Sequence, residues 1–248
     1  MRVVHESALV GFEAGVGAYR RARPGYAAPV LAELGRLPVG GPVVELGPGT
    51  GIVTAELVAA GHQVVAVEPV AAMREALADA VSSADVREGR AEAIPVDDGV
   101  ATAVVAAQSF HWFDPDAALD EIARVLPAGG RLVLMWNVRD ESVPWVAAFG
   151  AVTNRYRGDT PSHHTGRWRQ AIDDDRRFAL DHELETAHGW PTDVDGVVER
   201  ALSVSFIAAL DEAQRRSVAA EVRALAEPLG PSFDFPYRSS VHVWEHLG

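Results

Sequence analysis

Three alternating glycines and the acid before them could together hold a small polar ligand. They occur in the pattern Glu45-x-Gly47-x-Gly49-x-Gly51, which ends where a helical pattern begins at Ile52. Glycine permits the positive φ angles of a sharp turn and lets a ligand approach the main chain closely. The first N–H groups of a helix have no acceptor within the helix, so they would face that ligand.

A second acid, Glu68, extends this candidate site. It ends an apolar run at residues 63–67. It follows the glycine loop by about 20 residues, the spacing at which an acid reaches the hydroxyl pair of a ribose in doubly wound folds. The loop and Glu68 therefore predict a site for a ligand that contains a ribose.

Two enzyme families use such a loop, and the spacing of the glycines separates them. Nicotinamide enzymes carry G-x-G-x-x-G, in which the helix amides meet a pyrophosphate. The pattern from Glu45 to Gly51 instead resembles the first motif of class I methyltransferases, which use S-adenosylmethionine (SAM). SAM carries a sulfonium and an amino acid group but no phosphate, and an acid before the loop suits a cation.

The resemblance implies a role for each of these residues. Glu45 would favour the cationic amine of SAM, and Glu68 would hold its ribose. The amino acid end of SAM would lie in the cradle formed by Gly47, Gly49 and Gly51.

A second motif follows the fourth apolar strand. Residues 107–114 read Ala-Gln-Ser-Phe-His-Trp-Phe-Asp, and residues 126–130 read Leu-Pro-Ala-Gly-Gly. Together they resemble the branch of the class I family that includes type 11 and trans-aconitate-type methyltransferases, whose acceptors are small molecules such as carboxylates. The resemblance covers roughly residues 15–140. It implies a small-molecule methyl acceptor and places Gln108 among the cofactor-binding residues.

His111, within this second motif, is the candidate catalytic base. Ligands in open α/β sheets bind beyond the carboxyl ends of the strands, where this loop is expected. Histidine titrates near ~6.5, so it can exchange a proton at neutral pH. Methyl transfer is an in-line displacement that needs a base only if the acceptor carries a proton. The alternative role for His111 is to orient the loop through a backbone hydrogen bond.

The resemblance adds residues on either side of the glycine loop. The segment Tyr19-x-x-x-Arg23-Pro resembles the N-terminal segment of small-molecule methyltransferases. This implies that Tyr19 and Arg23 line the SAM pocket, with Arg23 near the SAM carboxylate; the alternative is a surface helix with solvated arginines.

Arg90 departs from the family pattern, which often has an acid that accepts from the adenine amino group, whereas arginine cannot accept. The backbone of Ala91 or the carboxylate of Glu92 must then accept the hydrogen bond from the adenine amino group.

Alternating strand and helix patterns predict an α/β fold with a doubly wound, seven-stranded, mostly parallel sheet. The last strand is expected to be antiparallel, and a helical cap is expected at the N-terminus. We predict this last strand to lie at a sheet edge, because Pro236 fits only an edge or a bulge. The predicted strands are 42–46, 63–67, 84–88, 102–107, 131–136, 180–190 and 233–244.

The prediction for domain organisation is a single methyltransferase domain over residues 1–248, since the sequence shows no repeat or linker composition. Within it, residues 1–40 would form the helical cap and residues 41–140 the SAM-binding core. Residues 141–248 would supply the acceptor side and the C-terminal strands.

Composition excludes several classes of function. The chain of 248 residues contains no cysteine and no lysine, and its net charge is −13. Without lysine there is no phosphate-binding Gly-Lys-Ser/Thr loop, no Schiff base and no Tyr-x-x-x-Lys pair of short-chain dehydrogenases. The negative charge disfavours nucleic acid. The chain also lacks a signal-peptide pattern and an apolar run long enough to span a membrane, so we expect a cytoplasmic monomer or homodimer without a membrane partner.

Two alternatives remain open at the level of sequence: an NAD(P)-dependent oxidoreductase and a non-catalytic SAM-binding protein on the same fold. We expect no metal site, because His163, His164, His182 and Glu183 lack the ligand spacing of known zinc motifs.

Five arginines follow the fifth strand: Arg139, Arg155, Arg157, Arg167 and Arg169. Guanidinium groups suit carboxylate recognition, although each of these five could equally be a solvated surface group.

Overall fold

The strands are built from short apolar runs rich in valine and alanine. The computed structural model describes residues 23–248, so Tyr19 and most of the predicted helical cap lie outside the described residues. The strands are β1 (Val43–Leu46), β2 (Val64–Val67), β3 (Asp85–Arg87), β4 (Ala103–Ala107), β5 (Arg131–Arg139), β6 (Phe178–Thr192) and β7 (Phe233–His246).

The seven strands form one sheet in the order β3-β2-β1-β4-β5-β7-β6. The first five strands of this order pair in parallel, with Val44 opposite both Val65 and Val104. The start of β5 meets the end of β7, where the Gly129 amide donates to the His246 carbonyl at 2.8 Å. The last strands are therefore antiparallel, and the predicted doubly wound, mostly parallel α/β class is confirmed.

The position of the last strand differs from the prediction. β7 lies inside the sheet between β5 and β6, and β6 occupies the edge. Pro236 is tolerated because it lies near the beginning of β7, beside the point where β5 has ended. There its carbonyl accepts from the amide of Asp140 at 3.0 Å, and its missing N–H is not required for pairing.

Helices connect the strands. The described helices are α1 (Ala28–Leu34), α2 (Ile52–Ala59), α3 (Ala71–Ala80), α4 (Pro115–Val125), α5 (Pro144–Asn154), α6 (Arg167–Asp173), α7 (Val194–Leu202), α8 (Ser205–Ala208) and α9 (Glu212–Ala226). Short 3₁₀ turns lie at Phe110–Trp112, His163–Thr165 and Glu227–Leu229. Helix α6 was not predicted from the sequence, because among its seven residues only Ile172 is buried and no apolar face is visible.

The described residues divide into two compact units. The larger unit comprises Tyr26–Trp136, Pro161–Thr186 and Ser239–Gly248. Its core packs the apolar faces of α1 and α2 against β1, β4 and β5. The smaller unit contains residues 23–25 of the described chain with Asn137–Thr160 and Ala187–Arg238. Its core is built around aromatic residues, among them Phe149, Phe235 and Tyr237. The assignment of residues 1–248 to a single domain stays a prediction.

Over residues 23–248, no helix combines the length and the apolar content that a bilayer-spanning helix needs.

Glu45 is an acid buried within β1 of the larger unit. The residue is 1% exposed, and its carboxylate accepts a hydrogen bond from Thr54 Oγ1 on α2 at 2.6 Å. Burial raises the pKa of Glu45 from 4.5 to about 7, the Thr54 hydrogen bond opposes the rise, and the nearby charge of Glu68 adds to it. A raised pKa means that the folded state holds its proton over a pH range in which the unfolded state has lost it.

We predict that Glu45→Gln removes a pH dependence of stability. Below pH 4.5 the acid is protonated in both states. Between 4.5 and about 7 only the unfolded state is ionised, so the free energy of unfolding of the native sequence falls as pH rises. A gap of about 2.5 pH units corresponds to about 3 kcal/mol. Urea unfolding at several pH values measures the difference between the two proteins, with exposed Glu56→Gln on α2 as the control. An equal difference at pH 5 and pH 8 would contradict the prediction.

We predict that Gly51→Ala destabilises the fold strongly. Gly51 has φ of 85°, and an added Cβ would collide with Leu77 and approach Val81 Cγ2 at 3.4 Å. Left-handed backbone costs about 1–2 kcal/mol for a residue with Cβ, and overpacking adds about 1–3 kcal/mol.

Gly61→Ala is the matched control for this substitution. Gly61 has φ of 92° and no heavy atom within 4 Å of an added Cβ, so it carries the backbone cost alone. Urea unfolding should show a larger loss for Gly51→Ala, and equal losses would show that packing against Leu77 does not matter.

Candidate functional site

The glycine loop leaves β1 and turns back over the carboxyl end of the sheet. Gly47, Gly49 and Gly51 have φ of 66°, 59° and 85°. A Cβ on Gly47 would lie 2.8 Å from the Cβ of Ser109, which approaches closely because its Oγ donates to the Leu46 carbonyl at 2.7 Å. Gly49 differs, since nothing lies within 4 Å of an added Cβ. The loop is therefore packed on one side and open at Gly49.

Glu68 connects the end of β2 to this loop. Its Oε2 accepts from the Gly49 amide at 3.1 Å and its Oε1 accepts from the Val70 amide at 2.9 Å. The residue is 5% exposed, and burial raises the pKa of its carboxyl, while the two amides and Arg74 oppose the rise. An ionised carboxylate offers about four acceptor positions. Beyond these two donors from the described residues, the carboxylate has acceptor positions left for the hydroxyls of a ligand, and its role toward a ribose stays a prediction.

Glu45 lies beneath the loop, where its carboxyl bonds to Thr54. Burial disfavours its ionised form, so it gives little negative charge to the site below pH 7. A cation placed near it would lower its pKa again, because opposite charges favour ionisation. The predicted role of Glu45 toward an amine thus requires the carboxyl to lose its proton when the cation binds.

Thr50 is a site residue that the sequence analysis missed. It lies between Gly49 and Gly51 and is 2% exposed. Within residues 23–248 its hydroxyl has no hydrogen-bond partner. Its position between two glycines of the motif was the available signal. A buried hydroxyl without a partner, an open face at Gly49 and two neighbouring acids fit a ligand with an amino acid group and a ribose, as SAM has.

Hydrogen bonds to neighbouring residues hold the segment that is proposed to contact adenine. Ala91 is buried between Arg90 and Ala93, whose backbones form an antiparallel bridge. The carboxylate of Glu92 accepts from the Asp114 amide at 2.9 Å and from Arg90 Nε at 3.3 Å. Glu92 therefore links this segment to the start of α4, and each of its carboxylate oxygens already has a protein donor.

Gln108 follows β4 in a conformation that is rare for a residue with a side chain. Its φ is 59°, and its amide donates to the Met135 carbonyl at 2.9 Å. Such a conformation costs on the order of 1–3 kcal/mol and tends to occur at functional sites. The strain at the carboxyl end of β4 supports the assignment of this loop to the site.

His111 belongs to an aromatic cluster within the larger unit. Its ring centroid lies 5.4 Å from that of Trp136 and 6.4 Å from that of His163. His163 stacks on Trp136 at 5.2 Å, and Trp168 Nε1 donates to the His163 carbonyl at 3.0 Å. The sequence analysis placed His111 beside Trp112 but did not predict that His163, in the 3₁₀ turn at His163–Thr165, or Trp168, on the unpredicted helix α6, would join the cluster.

The histidines considered for a metal site make separate contacts. His182 Nε2 lies 3.0 Å from Glu33 Oε2, whereas Glu183 pairs with Arg169 and His242. Over residues 23–248, no group of three or more His, Asp or Glu side chains is arranged to hold a metal ion.

The five arginines that follow the predicted fifth strand are divided between the two units. Arg139, Arg155 and Arg157 belong to the smaller unit, and Arg167 and Arg169 to the larger one. Arg155 pairs with Glu221 at 2.5 Å, and Arg169 pairs with Glu183 at 2.8 Å. Arg23, predicted to approach the SAM carboxylate, lies in the smaller unit and donates to the Ser203 carbonyl at 3.3 Å.

Comparison with known proteins is consistent with this geometry. Residues 44–134 match the family model described as a methyltransferase domain. An uncharacterised methyltransferase of Mycobacterium tuberculosis is 44% identical over 147 residues, which cover 59% of this chain and 60% of the relative. One from Schizosaccharomyces pombe is 39% identical over 129 residues, covering 52% and 50%. The matched region thus spans less than two thirds of these relatives.

Solved structures agree on the fold. A candidate type II methyltransferase from Anaeromyxobacter dehalogenans has a TM-score of 0.65 at 21% identity, covering 91% of this chain and 98% of that one. A geranyl diphosphate methyltransferase in complex with SAM has a TM-score of 0.52 at 16% identity, covering 97% and 95%. Residues 44–134 therefore match a methyltransferase domain, and the solved structures show that the chain shares the fold of known methyltransferases.

Proposed function

We propose that this chain transfers a methyl group from SAM to a small-molecule acceptor. The observation that carries the proposal is the junction of Gly49 and Glu68, where an open glycine face and a carboxylate are held 3.1 Å apart by a hydrogen bond. This junction lies in the segment that matches a methyltransferase domain. Together they support a site that binds an amino acid group and a ribose side by side.

The chain's own contribution would be positioning. SAM supplies an activated methyl group on a sulfonium, so the transfer needs alignment with the acceptor more than it needs activation. Ser109 fixes one side of the loop, and Glu68 fixes the other through Gly49. A site that is already rigid loses little entropy on binding, and good alignment can supply on the order of 7–11 kcal/mol of the barrier reduction.

The acceptor class and the cellular setting are part of the same proposal. The resemblance of residues 107–114 to enzymes that act on carboxylates supports a carboxylate acceptor. The net charge of −13 supports an acceptor other than nucleic acid. The absence of cysteine supports a cytoplasmic location, and we propose a monomer or homodimer.

We predict that the purified protein binds SAM and that Glu68→Gln weakens this binding at least about tenfold. The substitution removes the charge from bonds to the ribose, each worth roughly 1.5–3 kcal/mol, and about 1.4 kcal/mol is a factor of ten in affinity. Isothermal titration calorimetry with SAM measures the change.

Glu88→Gln is the matched control, because Glu88 lies just after β3 and its side chain is exposed. Unchanged SAM affinity in a folded Glu68→Gln protein would remove Glu68 from the ribose site. Heat from NAD but none from SAM would replace the methyltransferase proposal with the oxidoreductase alternative.

We predict that His111→Asn lowers kcat/KM by less than about 10²-fold if the acceptor is a carboxylate. A carboxylic acid is ionised at neutral pH and needs no base, whereas base catalysis is typically worth ~10²–10⁴ in rate. The pH–rate profile should therefore be flat between about pH 6 and 8. The measurement uses the acceptor returned by a screen of small molecules, with exposed His164→Asn as the control. A limb that rises through about 6.5 and vanishes only in His111→Asn would make His111 a base and would exclude the carboxylate.

A further inference from the structure

Two arginines are buried in the smaller unit. Arg139 lies at the end of β5 with a side chain that is 13% exposed, and Arg200 lies on α7 and is 7% exposed. Arg200 Nε donates to the Tyr237 hydroxyl at 3.1 Å. Arg139 Nη2 donates to Glu141 Oε1 at 3.3 Å. Arginine cannot lose its charge in proteins, so this unit encloses two permanent cations.

Each of these guanidinium groups has a buried nitrogen without an acceptor. Over residues 23–248, Arg139 Nε and Arg200 Nη1 have no hydrogen-bond partner. Buried polar groups are nearly always hydrogen-bonded, because desolvation without a replacement partner is costly. A buried donor on each of two neighbouring cations indicates that an acceptor is missing.

The charges around Arg139 and Arg200 also indicate that an acceptor is missing. The pKa of Arg139 is lowered, first by burial and then by repulsion from Arg200, while Tyr237 and Glu141 oppose the shift. Glu141 is also the carboxylate that attracts Arg157, whose pKa is lowered by burial.

The other acid close by is engaged elsewhere. Asp140 bonds to the hydroxyl and the amide of Ser142 and lies 3.9 Å from Arg238. Among the described residues, Glu141 thus serves both Arg139 and Arg157, whereas Arg200 bonds to the Tyr237 hydroxyl. Buried charges are normally paired, so a further anion is expected.

We propose that Arg139 and Arg200 form a binding site for the carboxylate group of a small organic acid. Guanidinium groups present paired N–H donors that match the two oxygens of a carboxylate. The inference rests on the contacts of the smaller unit alone and is independent of the proposed methyl transfer.

The surroundings favour an organic acid over inorganic phosphate. The Arg139 guanidinium lies 5.2 Å from the ring centroid of Phe149, and Phe235 packs against Tyr237 with centroids 5.0 Å apart. These rings are themselves fully buried, so the arginines lie in an apolar and poorly hydrated environment. A free phosphate carries more charge to desolvate there than a carboxylate does. We therefore assign the site to the carboxylate of an organic acid.

The test compares carboxylates with a neutral ligand of similar shape and with an inorganic anion. Benzoate and succinate are titrated into the full-length protein by calorimetry at fixed ionic strength, with benzamide and inorganic phosphate as comparison ligands. Benzoate or succinate should bind, and benzamide should not. Arg139→Gln and Arg200→Gln should each raise the Kd at least about tenfold. Arg155→Gln is the control, since Arg155 is an exposed arginine of the same unit that pairs with Glu221.

Arg139→Lys keeps the experiment informative if Arg139→Gln fails to fold. It retains the charge but loses the paired donors, so it should also weaken binding of the carboxylate. Binding of phosphate alone would overturn the assignment to a carboxylate. No binding of either acid, or binding unchanged by Arg139→Lys and Arg200→Gln, would show that the two arginines serve only the packing of the unit.

Discussion

The hydrogen bond from the Gly49 amide to the Glu68 carboxylate ties the loop after β1 to the end of its paired strand β2. It forms only because the loop turns through left-handed angles that glycine tolerates. The same turn lets Ser109 approach the loop from the end of β4. Three parallel strands thus converge on one short loop, and the candidate site exists because their carboxyl ends are held together there.

The convergence of these strand ends places two acidic side chains in a buried, poorly hydrated environment. Glu45 and Glu68 are both buried, each has a raised pKa, and the charge of Glu68 contributes to the shift of Glu45. Two neighbouring acids that resist ionisation are costly to a fold that binds nothing, but they suit one that binds a cation and hydroxyl groups. The strained backbone of Gln108 adds a second cost at the same edge of the sheet. These features therefore lower the stability of the larger unit at the edge of the sheet where the cofactor is proposed to bind.

The sequence predicted what depends on local pattern. β1 and β2 are buried at every position, as central parallel strands must be, so their apolar runs were easy to recognise. The glycine loop and Glu68 were readable because their spacing is itself the signal. Thr54 and His163 were not, since their contacts with Glu45 and Trp136 depend on packing between distant segments. The predicted edge position of β7 was wrong for a related reason: proline limits local hydrogen bonding but does not fix the order of strands.

The surroundings of the two buried arginines, Arg139 and Arg200, differ in charge from the chain as a whole. The chain carries a net charge of −13, which repels anions at a distance. That repulsion is screened beyond about 8 Å at physiological salt. Among the described residues of the smaller unit the balance is reversed, because Arg139 lies beside Phe149 and bonds to Glu141, and Arg200 bonds to the Tyr237 hydroxyl. Short-range pairing in a poorly hydrated environment is far stronger than the screened field of the surface, so an acidic protein can still select an anionic ligand.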